Sequence, residues 1–305
     1  MIIDMHMHIG DLRLDLNEAR TPLTWENQLA RLDEEGIDMA VMLPVYNASP
    51  EGAPPGIALL DERMSVRDQV LDAARYAGRI IPYGNLDPRW GSNSPSYDFS
   101  PILDWFIAHG CKGVGEVTAN LPFDDPRVIN MFRQLGEGNL MVTIESAGFQ
   151  AGTYGLQDEP GAPRLERLLK AAPETVVIGH GPGFWAEVSA VVQPEDKWGY
   201  PKGKVVRGGA VPRMLREYPN LYADISADSG FSALTRDPEF GLEFIHTFQN
   251  KLLFGSDTCF GDTAGRRPHL AFLKRLLNEK QIDTSAYEKI VGQNAVKLLC
   301  LNRNL

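Results

Sequence analysis

The sequence predicts a single-domain (β/α)8 barrel, also called a TIM barrel, that spans residues 1–305. Three observations support this prediction. Eight short apolar runs have the length of β-strands, helical patterns lie between them, and the longest predicted loops follow strands. Regular alternation of strands and helices is typical of a parallel sheet, and eight repeats are enough to close that sheet into a barrel.

Each predicted strand is an apolar run bounded by Gly, Pro, Asn or Asp, which interrupt regular structure. In chain order the runs are MIIDMHMHI, IDMAVMLPV, RIIPYGNLD, KGVGEVTA, LMVTIES, TVVIGHG, LYADISAD and KLLFGSDT. A doubly wound open sheet would explain the same alternation. That architecture usually carries a glycine-rich phosphate or dinucleotide loop, and no GxGxxG or Walker pattern follows any of these strands.

Helical patterns fill the spaces between the strands, and several begin with proline in the first turn, where its missing N–H costs no hydrogen bond. The predicted helices cover 24–35, 66–76, 101–108, 126–135, 163–171, 210–218, 238–248, 268–278 and 285–299. Long predicted loops at 10–23, 46–65, 87–100 and 181–209 each follow a strand. In a barrel such loops build the C-terminal face, where active sites lie.

The composition describes an acidic protein with a large core. Of 305 residues 43% are hydrophobic, and 40 acidic against 30 basic residues give a formal net charge of −10. No basic block is present, so nucleic acid and anionic membranes are not expected partners. The cysteines form no CxxC pair, no apolar run approaches the ~20 residues that span a bilayer, and no signal peptide is visible. We expect a cytoplasmic protein with a small-molecule substrate, and a homo-oligomer is compatible with these features.

The first run contains an HxH motif, His6 and His8, preceded at the same spacing by Asp4. Because side chains alternate along a strand, these three residues are predicted to share one face, with apolar side chains on the other. The apolar face should pack on the outer helices, which turns His6 and His8 into the barrel. Two neutral imidazoles around one divalent ion, at ~2.0–2.1 Å, would offset the cost of burying them.

Four later strands also end in a group that can bind a metal: Glu116 in VGEV, Glu145 in TIES, His180 in IGHG and Asp257 in FGSD. Strand ends of a parallel barrel meet at one face. The six residues therefore predict a ring of metal ligands there. Alternative interpretations are satisfied core histidines for HxH and structural inner-barrel acids for Glu116 and Glu145.

The HxH motif, the histidine of IGHG and the aspartate of GSD together resemble the amidohydrolase superfamily. The stretches IGHGPGFWAE, PNLYADIS, LLFGSD and YEKIVGQNA are similar to the group that includes aminocarboxymuconate-semialdehyde decarboxylase, and the resemblance covers essentially the whole chain. It implies that His6 and His8 bind a divalent metal, usually Zn²⁺. It also implies that Asp257 is a ligand and the general base toward metal-bound water, and that His180 binds a second metal or polarises the substrate.

One position departs from the family, which commonly has a histidine after strand five where this chain has Glu145. Glu116 resembles the carboxylate that bridges two metals in some branches, so one or two ions are expected. More carboxylates make a harder site, which favours Mn²⁺ or Fe²⁺ more than usual, although Zn²⁺ remains the first expectation.

Residues outside the ring suggest how a substrate is held. Arg89 and Arg207 are candidates to bind a substrate carboxylate, and Trp185 is a candidate to line the pocket. Asp224 and Asp228 are predicted to share a face of the seventh strand, with Asp228 nearer the pocket. His269, at the start of a helix, is expected in solvent.

The resulting functional prediction is a metal-dependent hydrolase of a small ester, lactone or amide. Non-oxidative decarboxylation is the alternative, because relatives in the resembled group perform it with the same ligands. A phosphoesterase that also begins with HxH would need a basic phosphate cradle, which the sequence lacks. A metal-binding scaffold without activity is a further alternative, suggested by Glu145.

Overall fold

The computed structural model describes residues 1–10, 21–44, 65–150, 152–261 and 266–301. Nine parallel strands are present in these ranges. They are β1 (Ile3–Met7), β2 (Met39–Met42), β3 (Ile80–Pro82), β4 (Gly113–Val117), β5 (Met141–Ala147), β6 (Leu156–Gln157), β7 (Val177–His180), β8 (Leu221–Asp224) and β9 (Leu252–Leu253). All eight predicted strands are confirmed, and β6 is a short addition that pairs with the end of β5.

The strands form a ring. Pairing runs β1-β2-β3 in one sheet and β4-β5-β7-β8-β9 in the other. Backbone hydrogen bonds join both pairs of sheet edges, from Met5 N to Phe254 O at 2.9 Å and from Gly84 N to Gly113 O at 2.9 Å. The predicted barrel is therefore the observed architecture.

Helices surround the ring. They are α1 (Trp25–Glu35), α2 (Val66–Ala73), α3 (Ser100–Ala108), α4 (Pro126–Glu137), α5 (Pro163–Ala171), α6 (Pro182–Ala186), α7 (Ala210–Glu217), α8 (Ala227–Thr235), α9 (Pro238–Phe248), α10 (His269–Asn278), α11 (Thr284–Glu288) and α12 (Asn294–Leu298). Local signals start several of them, as where Thr24 and Asn27 form a capping box at α1. Among the described residues, none of these helices is long and apolar enough to cross a bilayer.

Every predicted helix is present, but two helices were not predicted. Segment 181–209, expected to be a loop, contains α6 and a 3₁₀ turn at Pro194–Lys197. The predicted seventh strand was too long, because β8 ends at Asp224 and α8 begins three residues later. The predicted loops at 10–23 and 46–65 lie largely outside the described residues.

Two apolar clusters follow from the alternation of side chains. The larger one packs the outer faces of the strands against the helices. The smaller one fills the barrel interior, where the C-terminal helical segment contributes Ala295 and Leu299; its strand members are Ile3, Met5, Met39, Val41, Ile81, Met141, Ile178 and Leu253. The interior is therefore apolar at one end, which leaves the C-terminal ends of the strands for polar residues.

The prediction for Asp4 was wrong. A bulge between Asp4 and Met7 breaks the alternation of β1, so Ile3 and Met5 pack inside the barrel while Met7 packs outside. Asp4 faces α1, and its carboxylate accepts hydrogen bonds from Arg31 Nη2 at 2.9 Å and from Ser256 Oγ at 2.6 Å. It ties the first strand to its surroundings and does not join the histidines.

Candidate metal centre

Three imidazoles converge at the C-terminal end of the barrel. His6 lies in β1, His8 follows it, and His180 is the last residue of β7; each is at most 2% exposed. The Nε2 atoms of His6 and His8 are 3.0 Å apart, and the rings of His6 and His180 have centroids 4.4 Å apart. The bulge in β1 keeps both histidines of the HxH motif turned inward.

Hydrogen bonds on the far side of each ring fix which nitrogen faces the centre. Asp224 Oδ2 accepts from His6 Nδ1 at 2.6 Å and from His180 Nδ1 at 3.1 Å. The carbonyl oxygen of Leu43 accepts from His8 Nδ1 at 2.8 Å. Because carboxylate and carbonyl oxygens only accept, all three Nδ1 atoms carry a proton, and all three Nε2 atoms are directed toward the centre.

Two carboxylates face these nitrogens. Asp257 Oδ1 lies 3.2 Å from His8 Nε2 and 3.7 Å from His6 Nε2, and Glu116 Oε2 lies 3.6 Å from His6 Nε2. Burial alone would raise the pKa of Asp257, but the neighbouring imidazoles of His6 and His8 hold it well below its usual range. Asp257 is therefore ionised at neutral pH and can accept a proton or bind a cation.

Glu145 completes the ring of predicted ligands. It pairs in register with His180, and its Oε2 atom lies 3.6 Å from His180 Nε2. Its Oε1 atom is buried and has no hydrogen-bond partner among the described residues. Gly181, at φ +90°, leaves room for this carboxyl, since a Cβ there would come 2.3 Å from Oε1. Burial and the carboxylate of Glu116 raise the pKa of Glu145 well above its usual range.

The structure thus brings all six sequence-predicted ligands together: His6, His8, Glu116, Glu145, His180 and Asp257. Groups of three within 4.8 Å include His6–His8–Glu116 and Glu116–Glu145–His180, which share Glu116. The Nε2 atoms of His6 and His8, 3.0 Å apart, converge with carboxylate oxygens on one centre that could hold a cation. This donor set of nitrogen and oxygen fits one divalent ion, or two ions that share Glu116.

The expectation for Asp228 was wrong, and Asp224 has a role in the site that the sequence did not predict. Asp228 was expected nearer the pocket, but it lies on α8 with a 62% exposed side chain. Asp224, 1% exposed, instead bonds two of the imidazoles and accepts from Ser226 Oγ at 2.7 Å. Asp224 is the last residue of β8 and faces inward, and a polar residue at such a strand end is the sequence signal that could have identified it.

The three predicted substrate-binding residues lie in different surroundings. Arg89 is bound to Asp87 through Nε at 2.8 Å. Arg207 is half exposed and pairs with Glu243 of α9, so the structure does not bring it to the ligand cluster. Trp185 is 2% exposed and donates from Nε1 to the carbonyl oxygen of Asp224 at 3.0 Å.

His269 was expected in solvent, and this prediction was wrong. Its side chain is 1% exposed, and its Nε2 atom bonds the carbonyl oxygen of Ala227 at 2.8 Å. The residue fastens the start of α10 to the start of α8. Its burial follows from the position of α8, which the sequence did not reveal.

Three residues near the site have no counterpart in the sequence prediction: Tyr154, Tyr200 and Arg267. Burial raises the pKa of Tyr200 to about 12, with contributions from Asp228, Glu145 and Asp257. Burial and Glu145 likewise raise the pKa of Tyr154. Both phenols are therefore neutral hydrogen-bond donors. Arg267 Nε donates to the carbonyl oxygen of Asp257 at 3.2 Å.

Comparisons with known proteins agree with this arrangement. Residues 3–301 match the family model described as amidohydrolase. A search of curated proteins finds no match.

Solved structures share the fold over nearly their whole length. An uncharacterized TIM-barrel protein from Bordetella bronchiseptica has a TM-score of 0.64 at 16% identity, with 98% of each chain covered. A 5-carboxyvanillate decarboxylase from Sphingomonas paucimobilis has a TM-score of 0.61 at 15% identity, with 99% of each chain covered. A probable 2-pyrone-4,6-dicarboxylic acid hydrolase from Acinetobacter baumannii has a TM-score of 0.57 at 16% identity, with 98% of this chain and 99% of that chain covered.

Proposed function

The chain belongs to the amidohydrolase family, and from that premise we propose that it hydrolyses a small ester, lactone or amide at its metal centre. The observation that supports this most directly is the convergence of His6 Nε2, His8 Nε2 and Asp257 Oδ1 within 3.7 Å of one another. These atoms combine metal ligands with an ionised carboxylate that can move a proton.

We propose that His6, His8 and Asp257 hold the first ion, with Glu116 as a further oxygen ligand. A second ion would use Glu116, Glu145 and His180. Zn²⁺ is the expected ion, and the carboxylate-rich donor set makes Mn²⁺ and Fe²⁺ the alternatives. A divalent ion in such a site polarises a carbonyl oxygen and makes water nucleophilic at neutral pH.

Asp257 would transfer the proton. Its carboxylate is ionised, and it contacts two of the imidazoles, with Oδ1 3.2 Å from His8 Nε2 and Oδ2 3.9 Å from His180 Nε2. It can take the proton of the attacking water and return it to the leaving group. The Nε2 atom of His180, which lies 3.7 Å from Glu116 Oε1 and 3.6 Å from Glu145 Oε2, would hold the substrate carbonyl or a second ion.

Non-oxidative decarboxylation is the second candidate, and Glu145 favours it. Loss of carbon dioxide leaves a carbanion that needs a proton, and a carboxyl whose pKa is raised can supply one. The decarboxylase from Sphingomonas paucimobilis has the same fold, which makes this chemistry worth testing.

Product analysis distinguishes the two reactions. The metal-loaded protein is incubated in ¹⁸O-water with aryl esters, lactones and hydroxybenzoates. Incorporation of ¹⁸O into the product acid supports hydrolysis, whereas release of carbon dioxide without incorporation supports decarboxylation. Asp257→Asn keeps an oxygen donor but loses the base, so hydrolysis should fall about 10²-fold or more while metal is largely retained. Full metal occupancy with no turnover of either class would leave a metal-binding scaffold.

A further inference from the structure

We propose that Arg236 and Ser229 hold a single halide ion, such as chloride, in a small cavity between α6, α8 and the segment 199–201. None of the six candidate metal ligands lines this cavity. The inference concerns a second site, and it does not depend on which reaction the metal centre performs.

One face of α8, together with the residue that follows the helix, forms a wall of the cavity. The lining residues recur at the spacing of a single helical face: Ser229, Ser232, Ala233 and Arg236. The first three carry short side chains, which leave space against Trp185 of α6. The cavity volume is about 10 Å³, so it holds one small ion or one water molecule and excludes an organic substrate.

Two polar atoms that the fold buries at this cavity have no partner. Ser229 is 3% exposed, and its Oγ atom makes no hydrogen bond to any described residue. The Nη2 atom of Arg236 is likewise buried and unbonded within the described part of the chain. A guanidinium only donates and a hydroxyl can donate, so one acceptor between them would satisfy both atoms. Since buried polar atoms without partners are rare in folded proteins, the pair indicates a ligand.

Arg236 also lacks a counter-ion. The two acids whose charges act on its guanidinium are Asp196 and Asp237, and no ion pair joins either of them to it. Both acids have other partners. Asp196 Oδ2 accepts from Gln193 N at 2.8 Å. Asp237 Oδ2 accepts from Val205 N at 3.0 Å. Burial lowers the pKa of Arg236, but an arginine keeps its charge at neutral pH, so the half-buried cation stays uncompensated.

Two more deeply buried cations of this chain do have partners. Arg31 Nη2 lies 2.9 Å from Asp4 Oδ2, and Lys197 Nζ lies 2.9 Å from Glu187 Oε1. Withdrawing a cation from water without a partner is costly. An anion from solution would supply the missing negative charge, which a water molecule cannot do. The charge of the site therefore favours a halide over water.

The cavity is partly open to solvent, and Tyr200, one of its lining residues, is 50% exposed, so an ion can enter. Trp185, which also lines the cavity, donates from Nε1 to the carbonyl oxygen of Asp224 at 3.0 Å. An ion held in the cavity would therefore connect α8 to the helix whose Trp185 contacts Asp224, the residue that orients two of the imidazoles.

The test titrates sodium chloride into the metal-loaded protein and follows the ³⁵Cl NMR line width, with sodium gluconate keeping the ionic strength constant. In the wild-type protein we expect saturable broadening that bromide reverses. Arg236→Gln should weaken chloride binding at least about tenfold, since a hydrogen bond to a charged group contributes that much. Ser229→Ala removes the hydroxyl donor and should also weaken binding. Arg75→Gln removes a positive charge whose side chain is 66% exposed, and this matched control should keep wild-type affinity.

Crystals grown in sodium bromide locate the ion. Anomalous scattering should place bromide within hydrogen-bond distance of Arg236 Nη2 and Ser229 Oγ. Chloride bound to the metal ion would remain in both α8 variants, which separates it from chloride in the cavity. The proposal fails if water alone occupies the cavity in these crystals, or if Arg236→Gln and Ser229→Ala both bind chloride as the wild type does. An equal loss of affinity in Arg75→Gln would also overturn it, because the effect would then be one of net charge. If Arg236→Gln does not fold, Ser229→Ala and the bromide position decide the outcome.

Discussion

Replacing Asp224 with asparagine tests how the metal centre is held. In the wild-type protein Oδ2 accepts from His6 Nδ1, His180 Nδ1 and Ser226 Oγ, while Oδ1 accepts from Ser226 N at 2.9 Å. An asparagine side chain has one acceptor oxygen in place of the two carboxylate oxygens, Oδ1 and Oδ2. With its oxygen toward the imidazoles, its NH₂ group opposes Ser226 N–H. With its NH₂ group toward the imidazoles, both rings must accept at Nδ1 and carry their proton on Nε2.

The second orientation removes the lone pairs that bind the metal, and the first leaves a buried donor without an acceptor. Loss of a residue that orients a metal-binding histidine typically weakens metal affinity 10- to 100-fold, which corresponds to about 1.4–2.7 kcal/mol. Since Asp224 holds two imidazoles at once, we expect Asp224→Asn to fall in the upper part of this range.

Metal affinity can be measured by competition with a chromophoric chelator, for Zn²⁺ and Mn²⁺ in turn. Ser226→Ala removes one hydroxyl from the network and should change affinity by about tenfold at most, since a neutral hydrogen bond contributes about 0.5–1.5 kcal/mol. Asp104→Asn, an exposed position on α3, controls for the loss of one negative charge. Wild-type affinity in Asp224→Asn would refute the argument that this carboxylate sets the tautomers of His6 and His180.

Three further predictions concern the centre and its surroundings. Changing His6 and His8 together to alanine should strip the metal, since two ligand nitrogens are lost; elemental analysis showing unchanged metal content would contradict this site. Glu145→His should shift preference toward Zn²⁺ in competition with Mn²⁺, because an imidazole replaces a harder oxygen donor; an unaltered preference would make Glu145 a structural acid. Burial raises the pKa of Asp158 to about 6 from 3.8, so its contribution to stability is full below pH 4 and is lost as pH rises through 6. Relative to the wild type, Asp158→Asn should therefore gain about 2 kcal/mol in free energy of unfolding between pH 4 and pH 7.5, and urea titrations showing a constant difference would contradict the raised pKa.

The sequence predicted the barrel well because strand and helix periodicities are local properties. Each strand ends near a Gly, Pro, Asn or Asp that is visible in the chain, so the residues at strand ends could be placed on one face. That is why His6, His180 and Asp257 were predicted together although they are far apart in the sequence. The bulge in β1 could not be predicted, because it depends on how Asp4 pairs with Arg31 and Ser256.

The rest of the site depends on contacts that no local pattern encodes. The acceptor for His6 and His180 is Asp224 of β8, and the acceptor for His8 is the backbone carbonyl of Leu43. No sequence pattern indicates either pairing. The seventh strand was predicted to extend to Asp228, which placed Asp224 and Asp228 on one face of it. The chain instead enters α8 after Asp224, and this helix was not predicted because it is short and contains few large apolar residues. Arg267 lies in the loop after β9, where only the folded arrangement shows that its guanidinium lies beside Asp257.

The metal centre lies across the junction between the first and last strands of the ring, where Asp257 N donates to the carbonyl oxygen of His6 at 2.9 Å. Ser256 and Asp4, which bond each other at this junction, are separated by 252 positions in the chain. During synthesis the HxH motif emerges early, yet two of its carboxylate partners, Asp224 and Asp257, arrive only when β8 and β9 have been made. Contacts of such long range form late in folding. A metal ion could therefore find the complete set of proposed ligands only after the ring has closed, and its binding would report that closure.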